Sequence, residues 1–448
     1  MTTIAATLEN TFTGRVHRPG EDGYDEARLS WQRRFDPHPA LVADAAGAAD
    51  VQAAVRCARE HDLPLAVQAT GHGTVLAADG GLLLRTGAMD AVEVDPERGT
   101  ARAAAGALWS DVIAAAAPHG LAPLSGSSAG VGVTGYTLGG GAGWLSRAYG
   151  FAADSLLRAE VVTAGGEQLT ASAGEHPDLF WALRGGGGNF GIATALEFRL
   201  HPVEQVYAGM AMFEADRAAA TLARYREWAP GEPDESNTAL VVMTLPQMPQ
   251  LPEALRGRRV LILRALYIGD AEAAERLLAP LREVAGPPLM DGLRAMPFAD
   301  TATLMGPPPP PMVGEMHIDL VDDVPDAVID AVAGGDGAAV ELRHWGGAMA
   351  RPGEDAGPIG HRDVPFSVVV SAMAPDRDGA ADAAAAVAAV AEQLRPHATG
   401  GSFLNFLGDP ARTATAYTAG DYERLAAIKR DYDPDNVFNY NHNIPPAA

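Results

Sequence analysis

Val67-Gln68-Ala69-Thr70-Gly71-His72-Gly73-Thr74, read together with the glycine-dense run Gly126-Ser127-Ser128-Ala129-Gly130-Val131-Gly132-Val133-Thr134-Gly135-Tyr136-Thr137-Leu138-Gly139-Gly140-Gly141-Ala142-Gly143, decides how this chain is read. An apolar, strand-like segment from Leu63 to Val67 delivers a loop with almost no side chains, so its backbone amides are uncovered. Exposed N–H groups in such a turn form a nest for a pyrophosphate. His72 sits in that nest, and an unprotonated imidazole is a nucleophile available to a ring methyl of a bound flavin. The heptapeptide alone also reads as a plain glycine turn, so the rest of the chain has to decide.

The glycine-dense run is too poor in side chains to build a core, and suits backbone lying directly against a flat, phosphate-bearing ligand. A third run, Gly185-Gly186-Gly187-Gly188-Asn189-Phe190-Gly191, satisfies the dinucleotide fingerprint at Gly186, Gly188 and Gly191. That fingerprint needs a strand before it and a helix after it. Here the order is reversed: a short helix from Leu179 to Arg184, capped by Asp178, precedes the glycines, and Ile192 to Leu200 alternates like a strand. A nicotinamide-type fold is therefore rejected.

Composition narrows the classes further. A length of 448 residues implies two to three domains, and 47% hydrophobic content supports complete folding. The net charge of −24, without a basic cluster, argues against nucleic acid and anionic membrane surfaces as partners. The single cysteine, Cys57, rules out an intramolecular disulfide and any multi-cysteine metal site. It falls in a helical pattern with Val51, Ala54, Val55 and Ala58, which reads as a buried, inert thiol, and no metal is expected. Met1 to Gly14 lacks the features of a signal peptide and no apolar stretch approaches a membrane span, so a cytoplasmic protein is expected.

Along the chain, a helix from Asp50 to Glu60 is followed by strands Gly81 to Arg85, Ala91 to Val94 and Thr100 to Ala104. A helix from Ser110 to Pro118 ends at Gly120. Between about Pro202 and Thr399, strands (Arg259 to Ile268, Met316 to Val321, Ala338 to Trp345, Phe366 to Met373) alternate with alanine-rich helices (Ala215 to Trp228, Ala271 to Val284, Ala380 to Leu394). This pattern predicts an antiparallel sheet with helices on one face and the other face free to cover something. His317 with Asp319, and His344, are expected on its polar side, which meets solvent or the flavin cavity. Pro307 to Pro311 reads as a stiff polyproline loop. A helix from Tyr422 to Tyr432 stops at Asp433-Pro434-Asp435-Asn436, and a terminal stretch dense in amide and aromatic groups follows.

In this order, Gly71-His72-Gly73, the Gly135-Tyr136-Thr137-Leu138-Gly139-Gly140-Gly141 stretch, Trp181-Ala182-Leu183-Arg184 with the following glycines to Gly191, and Tyr432-Asp433-Pro434-Asp435-Asn436-Val437-Phe438 resemble the berberine bridge enzyme-like flavoproteins. These belong to the vanillyl-alcohol oxidase and para-cresol methylhydroxylase class. The resemblance implies an α+β fold: a two-part FAD-binding domain of the para-cresol methylhydroxylase type, residues 1–202 and 404–448, with an inserted antiparallel-sheet substrate domain, residues 203–403. It implies FAD held by Ala69, Thr70, Gly71, His72, Gly73, Thr74, Ser128, Val131, Gly132, Gly135, Tyr136, Gly139, Gly140, Gly141, Gly143, Gly191, Ile192, Tyr440 and Asn441. His72 matches the histidine that bonds covalently to the flavin 8α carbon, a link that raises the flavin potential.

The departures from the family pattern matter as much. Ser128 stands where doubly linked members carry cysteine, so attachment is expected through His72 alone. Val131 matches the position where valine is associated with oxygen access. Ala142 and Phe406 stand where members carry the tyrosines that act as a phenolate base, which leaves Tyr136, Tyr440, His442 or the inner face of the inserted sheet to supply a base, with Tyr136 and Tyr440 as the catalytic candidates. The leading expectation is an FAD-dependent oxidase that removes a hydride from an alcohol, amine or activated C–H carbon of a small metabolite or sugar and passes electrons to molecular oxygen. The alternatives are an oxidative cyclase or oxygenase in natural-product assembly, and a non-catalytic flavin-bearing protein that sequesters a planar compound. A tryptic digest should contain one flavinylated peptide, the one carrying His72; an adduct on the peptide of Cys57 would overturn this reading.

Overall fold

The computed structural model describes the chain apart from Met1, Asn10, Pro249, Gln250, Met305 and Pro307 to Pro309, so most of the expected polyproline loop lies outside the described residues. Among the described residues the strands gather into three sheets. Apolar runs such as Leu82-Leu83-Leu84 form the first, because a strand covered on both faces needs no polar alternation. Its spatial order is Arg15–His17, Leu41–Asp44, Leu82–Arg85, Leu65–Gln68, the last three parallel. The crossover helix Ala48–Glu60 buries Val51, Ala54, Val55, Cys57 and Ala58 against it. Burial also raises the Cys57 pKa, as suits an inert thiol.

The second sheet is antiparallel, in the order Val92–Asp95, Thr100–Ala104, Ile192–Arg199, Leu156–Val162, Gln168–Ser172. The third has eight strands, from Gln205–Glu214 to Phe366–Ala374. Helices Ala218–Trp228, Asp326–Gly334 and Ala380–Leu394 cover one face of it, where Leu222, Val328, Val332, Val387 and Val390 meet Leu240, Val242, Leu261, Leu263, Val340, Leu342, Val368 and Val370. Strand alternation turns the intervening residues to the other face, where Ile318 and Leu320 meet Ala142, Phe151 and Phe403, while Met212, Val241 and Ile262 pack on Leu245 and Leu255.

Several elements differ from the sequence reading. The glycine-dense run contains a helix, Val133–Leu138, because Val133, Thr137 and Leu138 bury one face while its one glycine, Gly135, stays exposed. The helix before the third glycine run starts at Pro177, and its N-cap is His176 in the left-handed region; Asp178 lies inside the first turn, where it accepts from the Tyr432 hydroxyl at 3.0 Å. Strands Gln205–Glu214 and Ser236–Thr244 escaped the sequence reading. Both are buried on the two faces of the central sheet, so their side chains show little alternation.

The chain's last segment returns to the first part. Leu404, Leu407, Tyr417, Leu425, Ile428 and Ile444 share one core with Trp109, Trp181, Phe190 and Leu196. Thr418 caps the helix Ala419–Tyr432 by accepting from the amide of Asp421. At its end, the fully enclosed Lys429 and Asp433 pair at 2.6 Å. Lys429 Nζ also donates to the carbonyls of Asn189 and Phe438, and Asp433 accepts from the amides of Val437 and Phe438. Every polar group of the pair is thus satisfied, the condition under which a buried ion pair is tolerated. Asp433→Ala should cost about 3–5 kcal/mol by stranding the Lys429 charge, read as a lowered thermal midpoint; an unchanged midpoint would show that the ammonium finds another partner or water.

Candidate functional site

The strand Leu65–Gln68 ends in the histidine loop, which the amides of Trp31 and Gln32 fix by donating to the carbonyls of Thr70 and Gly71. Gly71 has φ +77°, and a Cβ there would collide with Ser30, so only glycine fits. Among the described residues the amides of His72 and Gly73 donate to no protein acceptor, and open space lies where a side chain of Gly73 would stand. Thr74 donates back to Gly71 at 3.4 Å. His72 stacks on Trp31 with ring centroids 4.3 Å apart. Burial lowers its pKa to about 4, only partly offset by the Gly130 backbone, so the imidazole is neutral at neutral pH. Ala69 and Thr70 lie beside Gly132, which joins this loop to the glycine-dense run.

Within that run, Val131 accepts from Trp109 and donates to Ser128. Open space adjoins Gly135, while Gly139, Gly140 and Gly141 are clasped by the second half of the chain: Asn405 accepts from the Gly141 amide at 2.8 Å and donates to the Tyr136 carbonyl at 3.2 Å, and Phe403 lies against Gly140. Gly141 has φ +76° and would collide through a Cβ with Tyr136 and Ala152. From the third sheet, Asn237 donates to the Gly143 carbonyl at 3.0 Å.

Tyr136 is half-buried with its hydroxyl oxygen closed off from solvent, edge-on to Trp109 at 5.4 Å, and its ring fills the space between Gly126, Gly141 and Gly143. Burial drives its phenol pKa far above the ordinary value, so it packs the glycine loops and does not act as a phenolate. Asn441, with φ +59°, accepts from the amides of Val75 and Leu76 and so clamps the loop just beyond His72. Tyr440 packs against the apolar cluster of Tyr24, Ala27, Val42, Ala66, Ala78 and Leu83 on the first sheet, away from the covering face of the third. Gly191 lies against Val161, and Ile192 is buried in the core between the first two sheets.

The covering face holds what sequence reasoning missed. Arg264, Ala239 and Arg343 stand side by side on three adjacent strands. Glu341 accepts from Arg264 and Arg343, each at 2.7 Å. Its burial, which alone would raise its pKa, is outweighed by Arg343 and Arg264, so it stays ionised and weakly basic. With Ser127, Gly143, Trp144 and Asn237 the two arginines line a small cavity of about 10 Å³ between the third sheet and the glycine-dense run. The expectation for the histidines is corrected by register: His317 and Asp319 stand opposite Val370 and Val368, on the helix-covered face, and His344 stands opposite Phe366. His344 instead joins buried Arg147 and Glu232. A lone arginine inside the apolar strand Arg259–Tyr267, and Glu341 and Arg343 alternating with Val340 and Leu342, were the available signals.

Buried polar atoms without a protein partner gather here: Ser125 Oγ, Thr134 Oγ1, Tyr136 OH, Thr137 Oγ1, Trp144 Nε1, Arg264 Nε and Arg343 Nε. Such a concentration of unspent polar groups fits a flat, polar ligand between the glycine loops and the third sheet.

Comparison with known proteins agrees with this geometry. Residues 39–172 match the FAD binding domain family, and residues 402–445 match the family described as berberine and berberine like. The chain is 29% identical to (R)-6-hydroxynicotine oxidase of Paenarthrobacter nicotinovorans over 97% of each protein. The crystal structure of 6-hydroxy-D-nicotine oxidase from Arthrobacter nicotinovorans superposes with a TM-score of 0.83 at 26% identity, covering 98% of this chain and 99% of that one. The wild-type BBE-like 1 protein of Physcomitrella patens has the same fold, with a TM-score of 0.88 at 23% identity over 99% of both chains. The protein is therefore an FAD-linked oxidoreductase with the α+β fold of the para-cresol methylhydroxylase type. More narrowly, its family matches and relatives are those of the berberine bridge enzyme-like flavoproteins.

Because the Tyr136 hydroxyl is enclosed and un-ionised, Tyr136→Phe should leave anaerobic flavin reduction within about threefold of wild type, whereas loss of a general base costs about 10²- to 10⁴-fold. Stopped-flow reduction with any active substrate checks this, and a loss in the larger range would restore Tyr136 as the base.

Proposed function

We propose that this protein is an FAD-dependent oxidase whose substrate is a small amine, with molecular oxygen as the electron acceptor. The observation that carries this reading is a neutral His72, stacked on Trp31, in a loop whose amides are unspent and which abuts Gly130 and Gly132. Ala69 to Thr74 and the Gly126 to Gly143 run would hold the FAD, with His72 as its single covalent ligand and Asn441 fixing the loop. The bound flavin supplies hydride acceptance and reoxidation by oxygen.

The chain's own groups favour amines over alcohols. Removing a hydride from an alcohol requires loss of the hydroxyl proton, and hence a base. Tyr136 is held un-ionised, Glu341 is neutralised between two arginines, and His317 and His344 are on the far face of the sheet. A neutral amine needs no such partner, because the nitrogen lone pair stabilises the cation left on carbon. Trp144 and the third sheet exclude water above the glycine loops and orient the reacting carbon.

The purified protein should be yellow and keep its flavin through acid precipitation, and His72→Ala should release the flavin or yield apoprotein. Anaerobic mixing with a panel of metabolites should bleach the flavin with secondary or tertiary amines, and air should then return the yellow form with hydrogen peroxide. The second-order rate of reduction should rise with pH through the amine's own pKa, since only the neutral amine reacts. Bleaching by alcohols or sugars and not by amines would overturn the amine reading. Flavin that stays attached in the His72 variant would sink the linkage, and oxygen incorporated into product would favour an oxygenase.

A further inference from the structure

The row Arg264, Ala239, Arg343 has a geometry that the oxidase chemistry itself does not use. In antiparallel register Ala239 stands directly opposite Arg264 on one neighbouring strand and Arg343 on the other. Strands are spaced about 4.8 Å apart, so the two arginine backbones are about 10 Å apart with only a methyl group between them. Two like charges at that spacing repel, yet both guanidinium groups turn toward Glu341, which takes one nitrogen from each at 2.7 Å. The trio of two arginines and one glutamate carries a net charge of +1.

Glu341 uses only part of what the arginines offer. A guanidinium presents five N–H donors in a planar fork. Arg264 Nε and Arg343 Nε are both buried without a partner, and so is Trp144 Nε1 beside them. All three residues line the same cavity, together with Asn237, whose amide spans to Gly143. Buried donors without acceptors are costly, more so when charged. An oxyanion entering between them would satisfy all three donors.

We infer that this cavity is a carboxylate-binding subsite, and that the amine substrate carries a carboxylate anchored by Arg264 and Arg343, with Ala239 leaving the space and Glu341 holding the two guanidinium planes. A planar carboxylate matches the arginine fork through paired N–H···O bonds. The inference rests on the oxidase reading only in calling the ligand a substrate; the anion site itself is independent of turnover. Glu341 also sets the selectivity. By offsetting one of the two positive charges it suits the site to a monoanion.

The test uses the flavin-loaded protein and two probes of equal shape, benzoate and benzamide, with binding measured by titration calorimetry. Benzoate should bind at least tenfold more tightly than benzamide, and its affinity should fall as salt is raised. Arg264→Gln and Arg343→Gln should each weaken benzoate by about 10- to 100-fold and change benzamide by less than about twofold. Glu341→Gln, which keeps an amide oxygen to hold the guanidinium groups but removes the negative charge, works in the opposite direction: it lifts the net charge to +2 and should tighten benzoate binding severalfold, which keeps the test decisive should an arginine variant fold poorly. Equal binding of the two probes, no binding of either, or weaker benzoate binding in Glu341→Gln would overturn the inference. So would arginine variants that shift the flavin absorption spectrum while leaving benzoate affinity intact, because the arginines would then serve the flavin ring. Benzoate binding as expected, with no amine able to bleach the flavin, would leave the anion site standing and remove the amine-oxidase reading instead.

Discussion

The enclosed Lys429–Asp433 pair determines how the two ends of this chain come to share one core. A lysine and an aspartate without solvent contact are tolerated only when each remaining hydrogen-bonding position is filled. The partners that fill them are the Asn189 carbonyl of the third glycine run and the backbone of Val437 and Phe438. Satisfying the ammonium therefore obliges the tail to fold back over residues 185–191. Asn189 completes the closure through its side chain, donating to the His442 carbonyl and accepting from the Ile444 amide. From there the tail reaches Asn441, which grips the amides after the histidine loop. One buried charge pair thus links the C-terminal helix to the loop that carries His72.

The third sheet is held to the glycine loops by a second enclosed network. Arg147 follows the glycine-dense run and donates to the carbonyls of Ser236, Glu232 and Trp345, with Glu232 and His344 beside it. These acceptors come from separate segments of the sheet region, so a single guanidinium fixes how that region approaches the first part of the chain. Because side chains alternate along a strand, the sheet performs two tasks: its apolar residues bury the helices, and intervening ones bring Asn237, Arg264 and Arg343 to Gly143.

Electrostatics then separates the roles of groups that look alike on paper. His72 and His442 are both driven down to about 4 by burial, so neither carries charge at neutral pH. The Tyr136 phenol is pushed upward by the same cause and stays protonated. Glu341 moves against the tendency of burial because two arginines flank it. The result is a cleft with neutral nucleophilic nitrogen, hydroxyl and indole donors, and a fixed excess of positive charge, in which neither Tyr136 nor Glu341 is free to act as a base. That combination suits hydride removal from a carbon that supplies its own electron pair.

The sequence by itself carried the family and the α+β class, because backbone contact with a flat, phosphate-bearing ligand requires glycine, and glycine-dense runs in a fixed order are legible without coordinates. Position along the chain also distinguished Gly185 to Gly191 from a dinucleotide fingerprint, since a helix precedes it and the strand Ile192–Arg199 follows. Tertiary structure alone decided which side of each strand meets the cleft. Period-two alternation marks His317, Asp319, Glu341 and Arg343 equally, and only the pairing with neighbouring strands puts the first two under the helices and the last two on the opposite face, with Arg343 over Gly143. The same holds for the Gly126 to Gly143 run. Its composition announced exposed backbone, but the helix Val133–Leu138 and the packing role of Tyr136 depend on Trp109, Ala152 and Asn405, which are distant in sequence and meet the run only when the chain ends close on each other.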